Sequence, residues 1–211
     1  MAITICELPA PCSHRRFHVN LDGTEISVTV TATASVVRRW INAVTYFNRH
    51  YLSRLIVGLG VQWTPGDRDA PADTLQLCVG RRCLVYQLSH STYAPKLLRR
   101  FLLNPYYTFV GFWNHSDRTK LAISKHHLHM LKDPLDIREY VETDDGESLH
   151  RASVEEIVRE CLGIDGVRVR PEISMSDWDV MYLSSEQVLQ ATLDAHCAFM
   201  IGKNIGAWRL P

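Results

Sequence analysis

Net charge, long apolar runs and ligand-spaced cysteines are all scarce in this 211-residue chain. Lysine plus arginine and aspartate plus glutamate number 23 each, so the formal net charge is zero. A neutral chain cannot hold a polyanion by bulk charge, and any nucleic-acid contact must come from a local basic patch. No run approaches the roughly 18 apolar residues of a membrane span, so no membrane partner is expected. The opening Met1-Ala2-Ile3-Thr4-Ile5-Cys6-Glu7 lacks the basic and long apolar regions of a signal peptide, which points to a cytoplasmic protein, or a nuclear one. The six cysteines, Cys6, Cys12, Cys78, Cys83, Cys161 and Cys197, are scattered without zinc spacing. Cys78 and Cys83 flank a turn between two apolar strands and read as packing thiols rather than a disulfide or half a metal site. The histidines are densest at His126, His127 and His129. On a helix, neighbours point about 100° apart and form no i, i+4 ligand pair, so a solvated helix end is the expectation.

What is present is the pattern of one α/β domain. Apolar residues make up 46% and charged residues 22%, the balance of a soluble globular fold with a sizeable core. Phe17 to Leu21 and Glu25 to Val30 alternate around Asp22-Gly23, a hairpin signal. Thr33 or Ser35 caps a helix with a stripe of Val36, Val37, Trp40, Ile41, Val44 and Phe47. Leu55 to Trp63 is a fully apolar strand, expected to be central. A polar loop through Asp67 and Asp69 follows, then a second hairpin, Thr74 to Val79 and Cys83 to Leu88. Further expectations are a helix over 95–103, a strand over 107–111, a helix over 117–130, a capped helix opening at Ser153 and a long helix from Ser184 to about Lys203 with a capping box to Gln187. Residues 163–176 read as irregular. Residues 1–16 read as a flexible extension and 17–211 as a single domain. Strands first, then a strand among helices, predict a mixed central sheet flanked by helices.

Several motifs carry a resemblance. Val57-Gly58-Leu59-Gly60-Val61-Gln62-Trp63, Asp73 to Gly80, Phe109-Val110-Gly111 with Asp117, Ser176-Asp177-Trp178 and Gln187 to Asp194 occur in order. Together they resemble the 3′→5′ exonuclease domain of Werner-syndrome-type proteins, in the ribonuclease-H-like (DEDD) superfamily. The chain is still more similar to the plant branch of RISC-interacting clearing 3′→5′ exoribonucleases, with Phe112 to Asp117 among the residues that fit it. The superfamily's chemistry is phosphodiester hydrolysis by two divalent ions, Mg²⁺ or Mn²⁺, about 3.5–4 Å apart and held by four carboxylates. By the resemblance, the first two acids fall at Gly60 and Gln62 and are absent, the third falls at Asp117 and the fourth at Asp194. The water-orienting Tyr falls at Gln190 and is absent. The plant branch implies an active enzyme on single-stranded RNA. It also implies a homohexamer with active sites at subunit junctions, and a role in clearing uridylated 5′ fragments of Argonaute cleavage, which supports microRNA accumulation.

Candidates for the missing acids follow from placement. Asp73 opens the strand expected to pair antiparallel with residues 57–63, which sets it near Gln62 as a catalytic group and metal ligand or as a strand cap. Asp67 and Asp69 are turn formers or ligands that reach across an interface. Asp117 is a catalytic residue or a helix N-cap. Asp194 stands mid-helix, where Asp is a poor helix former, and is expected to be catalytic and a metal ligand. For RNA, Arg81 and Arg82 at a hairpin tip are candidate phosphate contacts, as are Arg99, Arg100, Lys120, Lys125 and Lys132, and Trp113 is a candidate stacking platform. Two other functions stand beside an exoribonuclease: an inactive exonuclease-fold module that binds RNA or Argonaute, and a Werner-type DNA exonuclease, against which the missing acids count.

Overall fold

The computed structural model describes residues 3–66, 69–167 and 170–210. Eight strands form one mixed sheet in the order β1-β2-β3-β6-β5-β4-β7-β8. The first hairpin is β2 (Arg15–Leu21) and β3 (Thr24–Thr31). Its turn places Asp22 and Gly23 at φ 47° and 80°, the left-handed pair that a two-residue hairpin turn requires. Phe17, Val19, Leu21, Ile26, Val28 and Val30 all point into the core, as the period-2 pattern predicts. Beyond this hairpin lies β1 (Thr4–Leu8), antiparallel to β2 with Thr4 opposite Asn20. Residues 4–8 are therefore a sheet edge and not a flexible extension. Ile5, and Ile3 just before the strand, pack on the core, and Arg15 binds Glu7 through two bonds of 2.7 and 2.8 Å.

The centre is β4 (Ile56–Gln62) between β5 (Thr74–Val79), antiparallel, and β7 (Thr108–Gly111), parallel. β6 (Arg82–Gln87) closes the second hairpin and pairs parallel with β3. The two-residue β8 (Leu135–Asp136) ends the sheet beside β7. α1 (Ala34–Phe47) buries Val36, Val37, Trp40, Ile41 and Val44, the stripe seen in the sequence, while Phe47 stays exposed. α2 (Lys96–Leu102) matches its expected place.

α3 (Asp117–Ile123) is half the expected length. Ser124 turns its hydroxyl back onto Leu121 O at 2.6 Å, and His127 takes φ 47°, so the histidine-rich segment is a loop and not a helix end. His126 is buried there against Ser91. α4 (Val154–Leu162) starts at Ser153, whose hydroxyl accepts from Glu156 N. The stretch over 163–176 includes one short helix, α5 (Pro171–Ser174).

The last helix, α6 (Ser185–Asn204), has the full capping box between Ser184 and Gln187. It lies across the middle of the sheet, and its closest approach to β4 is at Gly58. A Cβ there would stand 1.8 Å from Ala195 O, so only glycine allows the contact. Among the described residues no helix is long and apolar enough to cross a membrane.

Candidate nuclease site

The site forms where the central strands end. A cleft of about 190 Å³ is lined by Gly60, Gln62, Trp63, Trp113, Asp117 and Asp194, among others. β4 supplies its floor, and α6 carries Asp194 to the same place, so that Gln62 Nε2 donates to Asp194 Oδ2 over a long 3.4 Å. Asp117 arrives from the other side. The turn after β7 is held by Asn114, which donates to Leu135 O at 3.0 Å and whose own carbonyl accepts from Asp117 N at 3.0 Å. The backbone thus delivers Asp117 to the first position of α3 facing inward, 4% exposed.

Both carboxyls sit in an electrostatically adverse place. Burial pushes Asp117 up to about 8, with the like charges of Asp136 and Asp194 adding to it. Burial likewise pushes Asp194 up to about 7, with Glu155 on α4 adding. Asp194 keeps an open edge to the cleft, but dense packing around the rest of it dominates. Two carboxyls raised by burial and by neighbouring acids, facing one cleft, form an arrangement that a cation would relieve.

The vacancy left by the first acid has an occupant. Gln76 is paired opposite Gly60 across the strands, and a Cβ on Gly60 would stand 2.9 Å from Gln76 Oε1. Gln76 is 1% exposed; its Nε2 donates to Thr74 Oγ1 at 2.6 Å, and its Oε1 has no hydrogen-bond partner. An orphaned buried carbonyl oxygen beside Gly60, which lines the cleft, is a neutral oxygen donor within reach of that floor.

The cleft wall is built around Trp113. This residue is 51% exposed at φ 51°, a conformation unusual for an aromatic residue and of a kind that clusters at functional sites. The Arg138 guanidinium lies 3.3 Å from its ring centroid, on the far side from solvent. Asp136 fixes that guanidinium with bonds of 3.0 Å and 2.5 Å, the two groups being nearly buried.

Asp73, expected in the site, is not brought to the pair. Its carboxylate accepts from Thr64 N at 2.7 Å and lies 2.9 Å from Thr64 Oγ1, which also accepts from Trp178 N. Burial raises its pKa, the Thr64 bonds lower it, and its charged neighbours are Asp179 and Asp177. It ties the end of β4 to the 177–179 segment. Asp69 is an exposed turn residue, and Asp67 lies outside the described residues. Arg81 and Arg82 sit at the opposite end of β5, about 17 Å from the cleft at 3.4 Å per residue. Arg82 covers Phe47 there, 4.7 Å from its ring. Among the other basic candidates, Arg99 is spent on the carbonyls of His126 and His127, Lys120 on Ala70 O and the Trp63 ring, and Lys125 on Ser89 O. Gln190, at the water-orienting place, is held by Ser174 Oγ and Arg170 N.

Sequence reading missed Asp136, Glu155 and Gln76. Asp136 lies in a two-residue strand too short to show a period, and Glu155 sits inside a first helical turn where acids are ordinary. Gln76 left a signal: a large polar residue between Leu75 and Leu77 in β5.

The Cys78 and Cys83 sulfurs are joined in a disulfide, against the expectation of packing thiols. The two residues are direct cross-strand partners next to the turn, which brings their side chains together on one face.

No protein-family model matches the chain, and none of the curated proteins matches it. Solved structures do. Escherichia coli RNase D, an exoribonuclease involved in structured RNA processing, superposes with a TM-score of 0.66 at 16% identity over 85% of this chain. This chain spans only 44% of RNase D. The Aedes aegypti Nibbler EXO domain gives 0.64 at 17% identity, covering 86% of this chain and 88% of that one. Brucella melitensis NrnC gives 0.55 at 20% identity, covering 74% and 73%, and has also been solved bound to pGG. The chain has the ribonuclease-H-like fold of the DEDD 3′→5′ exonucleases.

Proposed function

We propose that this chain is a metal-dependent 3′→5′ exoribonuclease that shortens single-stranded RNA. The observation that carries this reading is the buried pair Asp117 and Asp194, both raised toward neutral and facing one cleft beside an exposed tryptophan. The donors present fit one hard cation, Mg²⁺ or Mn²⁺, better than two. Asp117 and Asp194 would bind it ionised, and the amide oxygens of Gln62 and Gln76 would complete the protein's share. A bound cation supplies charge that lowers the pKa of water and steadies a leaving 3′ oxygen.

The remaining steps belong to the chain's side chains. Trp113 stacks a terminal base, and Arg138, locked by Asp136, holds the ring in place. Gln190 cannot take a proton from water, so turnover well below that of a four-acid enzyme is expected.

The missing acids would come from a second copy of the chain. Met175, Met181 and Tyr182 are exposed on the segment that follows Ser174, a cleft residue, and an apolar patch beside a cleft suits an interface. This supports a homo-oligomer, a hexamer in our reading, with its sites at subunit junctions. The roles in clearing uridylated 5′ fragments of Argonaute cleavage and in supporting microRNA accumulation, with Argonaute as partner and the cytoplasm as location, rest on the resemblance of the motifs from Val57 to Asp194.

The absence of acids at positions 60 and 62 favours a second reading, an inactive module that still binds RNA in the cleft. Incubation of the pure protein with 5′-labelled single-stranded RNA and Mg²⁺ or Mn²⁺ separates the two. Metal-dependent shortening from the 3′ end, stopped by chelator, is expected; RNA retained at full length while bound would establish the inactive module. Light scattering tests the assembly: a fully active monomer would remove the shared site.

A further inference from the structure

We infer that the reduced chain carries a second, chemically separate metal site, formed by Cys78, Cys83 and His196 and suited to a thiophilic d¹⁰ cation. The three residues come from the hairpin end of the sheet and from α6. Cys78 and Cys83 face each other across β5 and β6, next to the Gly80-Arg81 turn. His196 reaches them from the helix, with Nδ1 3.6 Å from Cys78 Sγ. The three ligand atoms lie within 4.8 Å of one another, and the residues are 0%, 1% and 2% exposed.

The surroundings are those of a ligand site. The Gly80 carbonyl faces the imidazole and lies 3.7 Å from Cys78 Sγ, the kind of backbone acceptor that orients a ligating histidine. A cavity of about 760 Å³, lined by Gly80, Arg81 and His196 among others, reaches the imidazole from outside. Among the described residues no carboxylate joins the three donors. Two sulfurs and one nitrogen select zinc or copper(I) and reject magnesium and manganese, so this site does not compete with the cleft for its cation. The sequence hid it because the third donor stands 113 residues after Cys83.

The disulfide is the closed form. A dithiol reductant gives the pair two electrons and two protons, which leaves two thiols and the reductant's own disulfide. A cation then displaces the two thiol protons as the Cys78 and Cys83 sulfurs and the His196 nitrogen bind it.

The test uses the full chain, reduced with dithiothreitol and freed of it without oxygen. Co²⁺ is expected to give thiolate-to-metal charge-transfer absorption, and Zn²⁺ to bind at about one equivalent in competition with a chromogenic chelator. A parallel titration with copper(I) against bathocuproine decides between the two cations. Cys83→Ser and His196→Asn should each weaken binding at least about tenfold, and the oxidised chain should not bind. Reduced wild-type protein that takes up neither cation, or that takes it up equally well when oxidised, overturns the site. That wild-type comparison stands even if a variant fails to fold.

Discussion

At the Gln62 end of β4 and β5, α6 presents Asp194 to a second carboxyl; two residues later, toward the Gly80 end, the same helix presents His196 to two sulfurs. Both groups lie on one sheet face and under one helix. The first end concentrates oxygen and like charge, so it is adverse until something positive arrives. The second is neutral and closes on itself through a covalent bond. The contrast shows that the helix is a carrier, and that the strand residue opposite it decides the chemistry: Gly60 and Gln76 at one end, Cys78 at the other.

The strongest way to break this comparison is to remove one end. Asp117→Asn or Asp194→Asn should lower RNA shortening by on the order of 1,000-fold, measured on labelled RNA, and leave cobalt absorption at the hairpin end unchanged. Loss of both signals would show that the ends are not separate. Gly58→Ala acts on the point between them. Its methyl would meet Ala195 O, so a loss of about 3 kcal/mol or more in denaturant unfolding is expected, with both ends weakened together.

A gentler change sharpens the cleft. Gly60→Asp with Gln62→Glu adds two acids at the floor of the cleft and should tighten Mn²⁺ binding about tenfold by calorimetry, more so with Gln76→Ala, which removes the amide that crowds position 60. The pH dependence follows from Asp117 and Asp194. Their folded pKa values stand above the unfolded value near 3.8, so the folded chain holds extra protons between about 4 and about 8. The stability they contribute is full below that window and is lost as pH rises through it. The melting temperature of metal-free protein should therefore fall from pH 5 to pH 8, and Mn²⁺ should raise it more at pH 8. A flat profile would mean that the two carboxyls are not buried together. The smallest effect belongs to the hairpin tip: Arg81→Ala and Arg82→Ala should change RNA shortening less than about twofold, whereas Trp113→Ala should weaken RNA binding by about 1–3 kcal/mol.

Much of this was legible in the chain because its signals are local. The Asp22-Gly23 turn, the α1 stripe and the Ser184 capping box each depend on residues within a few positions, and each formed where expected. Asp117 and Asp194 were singled out by their motifs, and the fold brings them to one cleft. What escaped depends on distant partners. Asp73 looked like a ligand because its strand pairs beside Gln62, yet Thr64, itself bonded to the 177–179 segment, claims its carboxylate. α3 ends early because Ser124 bonds backward and the chain then turns, although the residues after it keep a helical pattern. β1 gains its place only by pairing with β2, and nothing within residues 4–8 states that.

The missing side chain at position 58 has a mechanical consequence. With Ala195 resting on the strand, α6 is pinned at the residue between Asp194 and His196. A change made at either group alone leaves that pin in place, so each end keeps its own chemistry, and only loss of the pin reaches both. A glycine that looks like a concession to close packing is thereby the point the two ends share.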